Sequence, residues 1–444
     1  MYFTRGVLAN SNMSGLQGSD ATGEQILAFA KQLFPITRSI TGDGVRQTLK
    51  IIQQQLPGLT IHEVQSGTQC FDWTVPQEWQ ISEAYIEDPS GRRIVDFKNH
   101  NLHVVSYSTP VDETLELDDL QAHLHSLPHM PTAIPYVTSY YADRWGFCLT
   151  HEQREQLQPG RYRAVIKSKK FDGVLNYAEL ILKGASEQEV FLSTYVCHPS
   201  MANNEISGPS VVTYIAKWLA SLDRRYTYRI IFIPETIGSI CYLSRHLPEM
   251  KSRTIAGFNV SCVGDDRTYS SIETRKADTT TDRVAKHVLA HIGTPTRVHT
   301  YLERGSDERQ YCSPGVDLPV VGLSRTRFTS YPEYHTSHDD FTVVTASGLK
   351  GGYEFVKACI EVLEGNRRYM ATQLCEPQLG RRGLYPTLGA GRIDASVEDL
   401  LNVLAYSDGA TDLLEIAERC AMPFARARHA AELLLREQLL RVVD

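Results

Sequence analysis

The chain has 444 residues, enough for two or three domains at roughly 150 residues each. It carries 45 Lys and Arg against 52 Asp and Glu, a net charge of −7, which argues against nucleic-acid binding through bulk positive charge. A hydrophobic share of 42%, a charged share of 22%, 30 Gly and 20 Pro exclude disordered, fibrous and low-complexity classes.

In chain order, residues 1–23 read as a ragged tail without the basic start, apolar stretch and cleavage site of a secretory signal. EQILAFAKQLF has helical apolar spacing and stops at Pro35, and GDGVRQTLKIIQQQL predicts a second helix ending at Pro57-Gly58. From about Thr60 to Thr150, short alternating stretches such as TIHEVQ and LHVVSYS, broken by turn signals, predict a β-rich module. Its one helical piece is LDDLQAHLHSL, closed by Pro128.

Strands then alternate with helices. EVFLSTYVC, YRIIFIP, IAGFNVSCV and LPVVGLS predict strands, separated by helices GPSVVTYIAKWLASL, SICYLSRHL and TDRVAKHVLAHIG; SGLKGGYEFVKACIEVLEG predicts a long final helix. The expected fold class is α/β, a mixed, mostly parallel sheet flanked by helices. A loop rich in Gly, Pro and Arg leads to three further helices, two of helix-turn-helix proportions. The expected division is a discontinuous α/β domain at 24–60 and 155–370, an inserted β-rich domain at 61–154, and a winged helix-turn-helix domain at 371–444.

In open α/β sheets, ligands sit beyond the carboxyl ends of the strands. There the four strands deliver His198, Glu235, the pair Asp265 and Asp266, and a loop with His335. Imidazoles and carboxylates holding a divalent ion, with one further carboxylate to take a proton from water, make up a hydrolytic zinc site. Each residue alone is commonplace; their joint order along the sheet points to a metal.

Five segments carry a resemblance: His198 with Ala202-Asn203-Asn204-Glu205-Ile206-Ser207-Gly208, Glu235-Thr236-Ile237-Gly238-Ser239, Gly264-Asp265-Asp266, Ser306-Asp307-Glu308, and His335-Thr336-Ser337-His338-Asp339. The chain resembles the zinc aminopeptidase superfamily of the bacterial leucyl type, and within it a bacterial branch with a β-rich insert and a C-terminal winged helix. The resemblance implies that His198, His335 and one of Asp265 and Asp266 are metal ligands and that Glu235 is the general base. The carboxylate that bridges two zincs in the family falls on Asn204, a poorer ligand. The Glu after the base is Thr236, and the Asp two residues after the first His is Ser200. With that negative charge gone, one zinc ion is expected, with Glu205 and Glu308 as reserve ligands. The plainer reading of Glu205 is a charge favoured at a helix N-terminus.

The implied reaction is hydrolysis of a terminal peptide or other amide bond, with Tyr334 or a backbone N–H stabilising the oxyanion. Arg304 and Arg309 would fork a substrate carboxylate, or Asp307 and Glu308 hold an ammonium; the plainer reading is a solvated loop. YYADRWGFC is either a cover, through Arg144 and Trp145, or an interdomain plug. Relatives of the branch accompany cell-surface polysaccharide genes, which points to an acylated sugar as well as a small peptide as substrate.

Residues 394–444 hold five Arg, no Lys and ten acidic groups, so the tail reads as a packing or oligomer module, with nucleic acid not expected as a partner. Nine scattered Cys without a C-x-x-C pair, and no long apolar run, point to a cytoplasmic protein that does not enter a membrane. Two rival readings remain: an aminopeptidase-like scaffold that binds a ligand without turnover, and a DNA-binding regulator acting through the winged helix.

Overall fold

Every residue of the strands Glu189–Tyr195 and Thr227–Ile233 is buried, as expected of strands covered on both faces. They form the centre of an eight-stranded mixed sheet in the computed structural model, which describes residues 13–293, 295–385 and 396–443, with side chains from residue 21. Across the sheet the strands run Thr60–Gln65, Val174–Leu182, Thr227–Ile233, Glu189–Tyr195, Thr254–Val260, Val320–Ser324, Tyr269–Ile272 and Thr296–His299. The middle four are mutually parallel, so their carboxyl ends open on one edge. Alternation splits their side chains between two cores. Val190, Leu192, Ile230 and Phe232 face the helices Ser207–Ala220 and Ala346–Gly365. Phe191 and Ile231 face the helix Ile237–Arg253.

Two boundaries differ from the sequence expectation. Thr60–Gln65 pairs antiparallel with Val174–Leu182 and so belongs to the main sheet. Arg161–Phe171, beyond the expected end of the insert at 154, pairs with Glu78–Glu87 and Val111–Glu116 in the insert's own four-stranded sheet. This strand carries long charged side chains on one face, which suits a sheet covered on one side only. The predicted helix LDDLQAHLHSL shortens to Leu117–Leu120, a single 3₁₀ turn and a two-residue strand. The first helix starts at Met13, inside the stretch read as a tail; residues 1–12 lie outside the described residues.

The C-terminal unit is a winged helix. Its three-stranded sheet joins Arg368–Ala371 to Asp408–Asp412 and Leu440–Val442, under helices Val397–Tyr406, Leu413–Arg419 and Phe424–Arg436. It shares a core with the α/β domain, and polar contacts join the two. The backbone N–H of Phe424 donates to Nε2 of His287 at 3.0 Å, and Arg283 pairs with Asp412 and Glu418. Among the described residues, no helix is long and apolar enough to cross a membrane.

Candidate metal and hydrolase site

The strand Glu189–Tyr195 runs out through Val196 and Cys197 to His198, whose side chain is nearly enclosed. The next segment, Ala202–Ile206, is a turn of π-helix leading into the helix Ser207–Ala220, an irregularity often found at functional sites. Asp339 accepts from its first free amides, Asn203 N at 2.6 Å and Asn204 N at 2.9 Å. Gly208 closes the turn because the packing admits no side chain there: an added Cβ would lie 2.4 Å from Thr194 Oγ1 and 2.6 Å from Val260 O.

This turn brings Glu205 back beneath His198. Nδ1 of His198 donates to Oε2 of Glu205 at 2.9 Å, and Nε of Arg38 stands 3.3 Å from Oε1. Arg38, in the loop between the first two helices, is fully buried, and its Nε also donates to the His198 carbonyl at 2.9 Å. The carboxylate expected at position 200, where Ser200 stands, is thus supplied from position 205. Burial opposes charge on His198, but Glu205 and then Glu235 outweigh it and raise the pKa.

Glu235 follows the strand Thr227–Ile233 in a γ-turn: Ile237 N donates to Glu235 O at 2.9 Å around Thr236, at φ 66° and ψ −79°. This turn type is rare and strained, and such conformations concentrate at functional sites. The turn sets the Glu235 carboxylate 3.7 Å from Nε2 of His198. Burial raises the pKa of Glu235, against the pull of His198, the Ser306 hydroxyl and Arg309. Asp307 accepts from Thr236 N and Ser239 Oγ, both at 2.8 Å; burial and the nearby Glu235 push its pKa up to about 7.

His335 sits in the left-handed region at φ 58°. The insert holds it there: Tyr136 N donates to His335 O at 2.8 Å, and Pro135 and Thr336 form a β-bridge. The Tyr136 ring stands edge-on, 5.2 Å from each of the His198 and His335 rings, and those two rings are 5.6 Å apart. Tyr334 stacks on His335 at 3.9 Å. Burial, then His198, pushes the pKa of His335 down to about 3, so the ring is a neutral base.

The donors suit a metal. Two imidazoles on one tetrahedral zinc place their ring centres about 5 Å apart, given Zn–N bonds of roughly 2 Å. Nε2 of His335 and Oδ1 of Asn204 are buried acceptors without a partner. The Asn204 amide is fixed beside His198 through Tyr195, which accepts from Asn204 Nδ2 at 2.8 Å and packs against the His198 ring. Cys197, His198 and Glu205 also cluster closely enough to hold an ion. There, however, Nδ1 of His198 already bonds Glu205, and burial holds the Cys197 thiol well above its usual pKa.

The structure thus gathers His198, Glu235 and His335, with Asn204 alongside. Asp265 and Asp266 are placed differently. Asp265 accepts at one oxygen from Arg267 N and Thr326 Oγ1, and at the other from Thr326 N and Asn203 Nδ2. Asp266 accepts from Thr345 and Ser347, at the N-terminus of the helix Ala346–Gly365. Glu308 is enclosed and accepts from Gly305 N, Ser306 N and Asn259 Nδ2. Arg304 is exposed and stacks on Tyr301. Arg309 turns inward, its Nη2 donating to Thr236 Oγ1 at 2.6 Å.

A cavity of about 330 Å³ opens on His198, Glu235 and Arg309, with Tyr140 and Tyr141 of the insert in its wall. Within the YYADRWGFC stretch it is these tyrosines that reach the site. Arg144 donates to Thr138 O and Trp145 stacks on His123. Sequence reasoning missed Arg38, Tyr136 and Trp73; the aromatic density of Tyr136 to Tyr141 was the available signal for one of them.

Residues 27–366 match the family described as "Domain of unknown function (DUF4910)", and residues 367–442 match a winged helix-turn-helix family. The chain is 44% identical over 431 residues, 96% of its length and 98% of the relative's, to a Clostridium acetobutylicum protein named "Putative polysaccharide biosynthesis protein with aminopeptidase-like domain". It is similar to the crystal structure of a "putative peptidase" from the same organism, with TM-score 0.91, 42% identity, and 97% and 99% of the two chains covered. A zinc aminopeptidase from Bacillus subtilis shares the fold at TM-score 0.57 and 14% identity, covering 78% of this chain and 94% of that one. A Shewanella amazonensis M28 peptidase precursor does so at 0.54 and 11%, covering 78% and 97%. The chain is therefore a member of the DUF4910 family, built on an aminopeptidase-like α/β scaffold with a C-terminal winged helix.

Proposed function

We propose that this protein is a metal-dependent hydrolase of a terminal peptide or other amide bond, with Glu235 as general base. The observation that carries the reading is the 3.7 Å approach of the Glu235 carboxylate to Nε2 of His198 at the mouth of the cavity. His198 and His335 would hold a zinc ion through Nε2, with Asn204 Oδ1 as a neutral third donor; when bound, zinc supplies Lewis acidity and acidifies water. Glu235, with its pKa raised by burial, takes the proton of the attacking water and returns it to the departing nitrogen. Glu205 holds His198 with Nδ1 protonated, leaving Nε2 free as a donor atom. Tyr334, kept a neutral phenol by burial, stacks on His335 and serves as donor to the developing oxyanion.

The Clostridium relative is named for polysaccharide biosynthesis, and with that we propose an acylated amino sugar, as well as a small peptide, as the substrate class. All nine cysteines are free thiols, which favours a cytoplasmic setting. The winged helix acts here as a packing module. Arg419, Arg426 and Arg428 each pair with an acidic neighbour, and the start of the helix Phe424–Arg436 is docked on His287.

A second reading is favoured by Asn204, Thr236 and Ser200, three neutral residues where the resembled family has acids: a scaffold that binds its ligand without turnover. Replacing Glu235 by Gln separates the two. The hydrolase reading expects zinc content to persist while amide hydrolysis falls by roughly 10² to 10⁴. Unchanged hydrolysis in that variant, or none in the native protein across aminoacyl and N-acyl-amino-sugar amides, contradicts it.

A further inference from the structure

An aminopeptidase must receive the free α-ammonium of its substrate, and the charges around this cavity are arranged against one. Glu235 is the one carboxylate among its lining residues. Thr236 stands where the resembled family has a second Glu, and its hydroxyl accepts from Nη2 of Arg309 at 2.6 Å. Asp307 and Glu308, the other acids of this corner, are both 0% exposed: Glu308 is bonded to backbone and a neutral side chain, and Asp307 is bonded through Oδ1, its buried Oδ2 having no partner.

Arg309 lines the cavity, and its Nε–H is buried without an acceptor. Among the described residues, no carboxylate forms an ion pair with its guanidinium, although its charge is felt by Glu235 and Asp307. A cation so placed is built to receive an anion from outside the chain, and a guanidinium matches a carboxylate with two parallel hydrogen bonds.

Part of the lining is aromatic. Trp73, on the hairpin Gln69–Cys70 and Trp73–Thr74, meets Tyr141 edge to face at 5.7 Å, and the two are 38% and 59% exposed. Tyr140, Ile40 and Ile237 continue the apolar lining. Exposed aromatic rings beside a polar floor form the usual anatomy of a small-molecule pocket, where the apolar wall supplies affinity and few polar groups set orientation.

We infer that the site recognises a carboxylate-bearing amide, its carboxylate held by Arg309 and its apolar part packed on Trp73 and Tyr141, and that it discriminates against a free α-ammonium. The inference rests on the hydrolase reading for the location of the site and replaces aminopeptidase specificity with its charge opposite.

The test uses two aromatic amides of similar size, hippurate as the anion and phenylalaninamide as the cation. Binding of each to the full-length protein is measured by isothermal titration calorimetry, and hydrolysis is followed separately. Hippurate is expected to bind at least tenfold more tightly than phenylalaninamide, and Arg309→Gln to weaken hippurate at least tenfold, with Arg309→Lys intermediate. Phenylalaninamide binding as tightly as hippurate, no measurable hippurate binding, or unchanged hippurate binding in a folded Arg309→Gln variant overturns the inference. The wild-type comparison decides even if that variant fails to fold. Hippurate bound but not cleaved, with no turnover of any amide, removes the hydrolase reading and leaves the recognition. Amide cleavage without preference for the anion does the reverse.

Discussion

Nδ1 of His198 donates to Oε2 of Glu205 at 2.9 Å, and the other oxygen of that carboxylate stands 3.3 Å from Nε of a fully buried Arg38. The line Arg38–Glu205–His198 places a fixed cation and a fixed anion behind one imidazole. It orients the ring and makes its outward nitrogen more basic, the work of a carboxylate behind a metal-bound histidine.

Glu205→Gln should therefore weaken zinc binding by about 10- to 100-fold while the fold persists. Competition with a chromophoric chelator reads the affinity directly. Undiminished affinity would make Glu205 a structural partner of Arg38 only.

Gly208 permits the close crossing of the helix Ser207–Ala220 over the strand ends. A methyl group there meets Thr194 Oγ1 and Val260 O at 2.4 and 2.6 Å, well inside contact distance. Gly208→Ala should destabilise the protein by about 1 to 3 kcal/mol, the range for overpacking. Urea unfolding of the variant checks the value, with the midpoint shifted and the slope retained.

Docking of the winged helix should be acid-sensitive. His287 accepts the Phe424 N–H through Nε2 and must be neutral to do so. Burial, then His291 and Arg283, lowers its pKa to about 4. The unfolded value is near 6.5. The free histidine binds a proton that the docked one refuses, so docking is fully supported above about pH 6.5 and loses that support as pH falls toward 4. Protection factors for amide hydrogen exchange across residues 413–436, corrected for the intrinsic slowing of exchange in acid, should fall over that interval. His287→Gln, which keeps an acceptor but cannot titrate, should flatten the response.

The central architecture was legible because it rests on repeated local signals. Strands such as Glu189–Tyr195 and Thr227–Ile233 are continuous apolar runs, each followed by a helix, and the rule that ligands gather beyond strand ends led to His198, Glu235 and His335. Two strands of the same sheet, Val174–Leu182 and Tyr269–Ile272, have no counterpart in the sequence reading, the second because it is four residues long and largely polar. Arg38 and Tyr136 were invisible for another reason: each reaches the site from a distant part of the chain, Arg38 being 160 positions from the His198 carbonyl it binds. Asp265 follows its strand as the pattern requires, yet Asn203, Arg267 and Thr326 engage both its oxygens, which no spacing reveals.

The most direct measurement of the central claim is anomalous diffraction at the zinc edge from crystals grown with zinc. The account predicts one peak within about 2.1 Å of Nε2 of both His198 and His335, beside the Glu235 carboxylate. A peak between Cys197 and Glu205, or no peak at a zinc concentration that saturates the protein in solution, would contradict it.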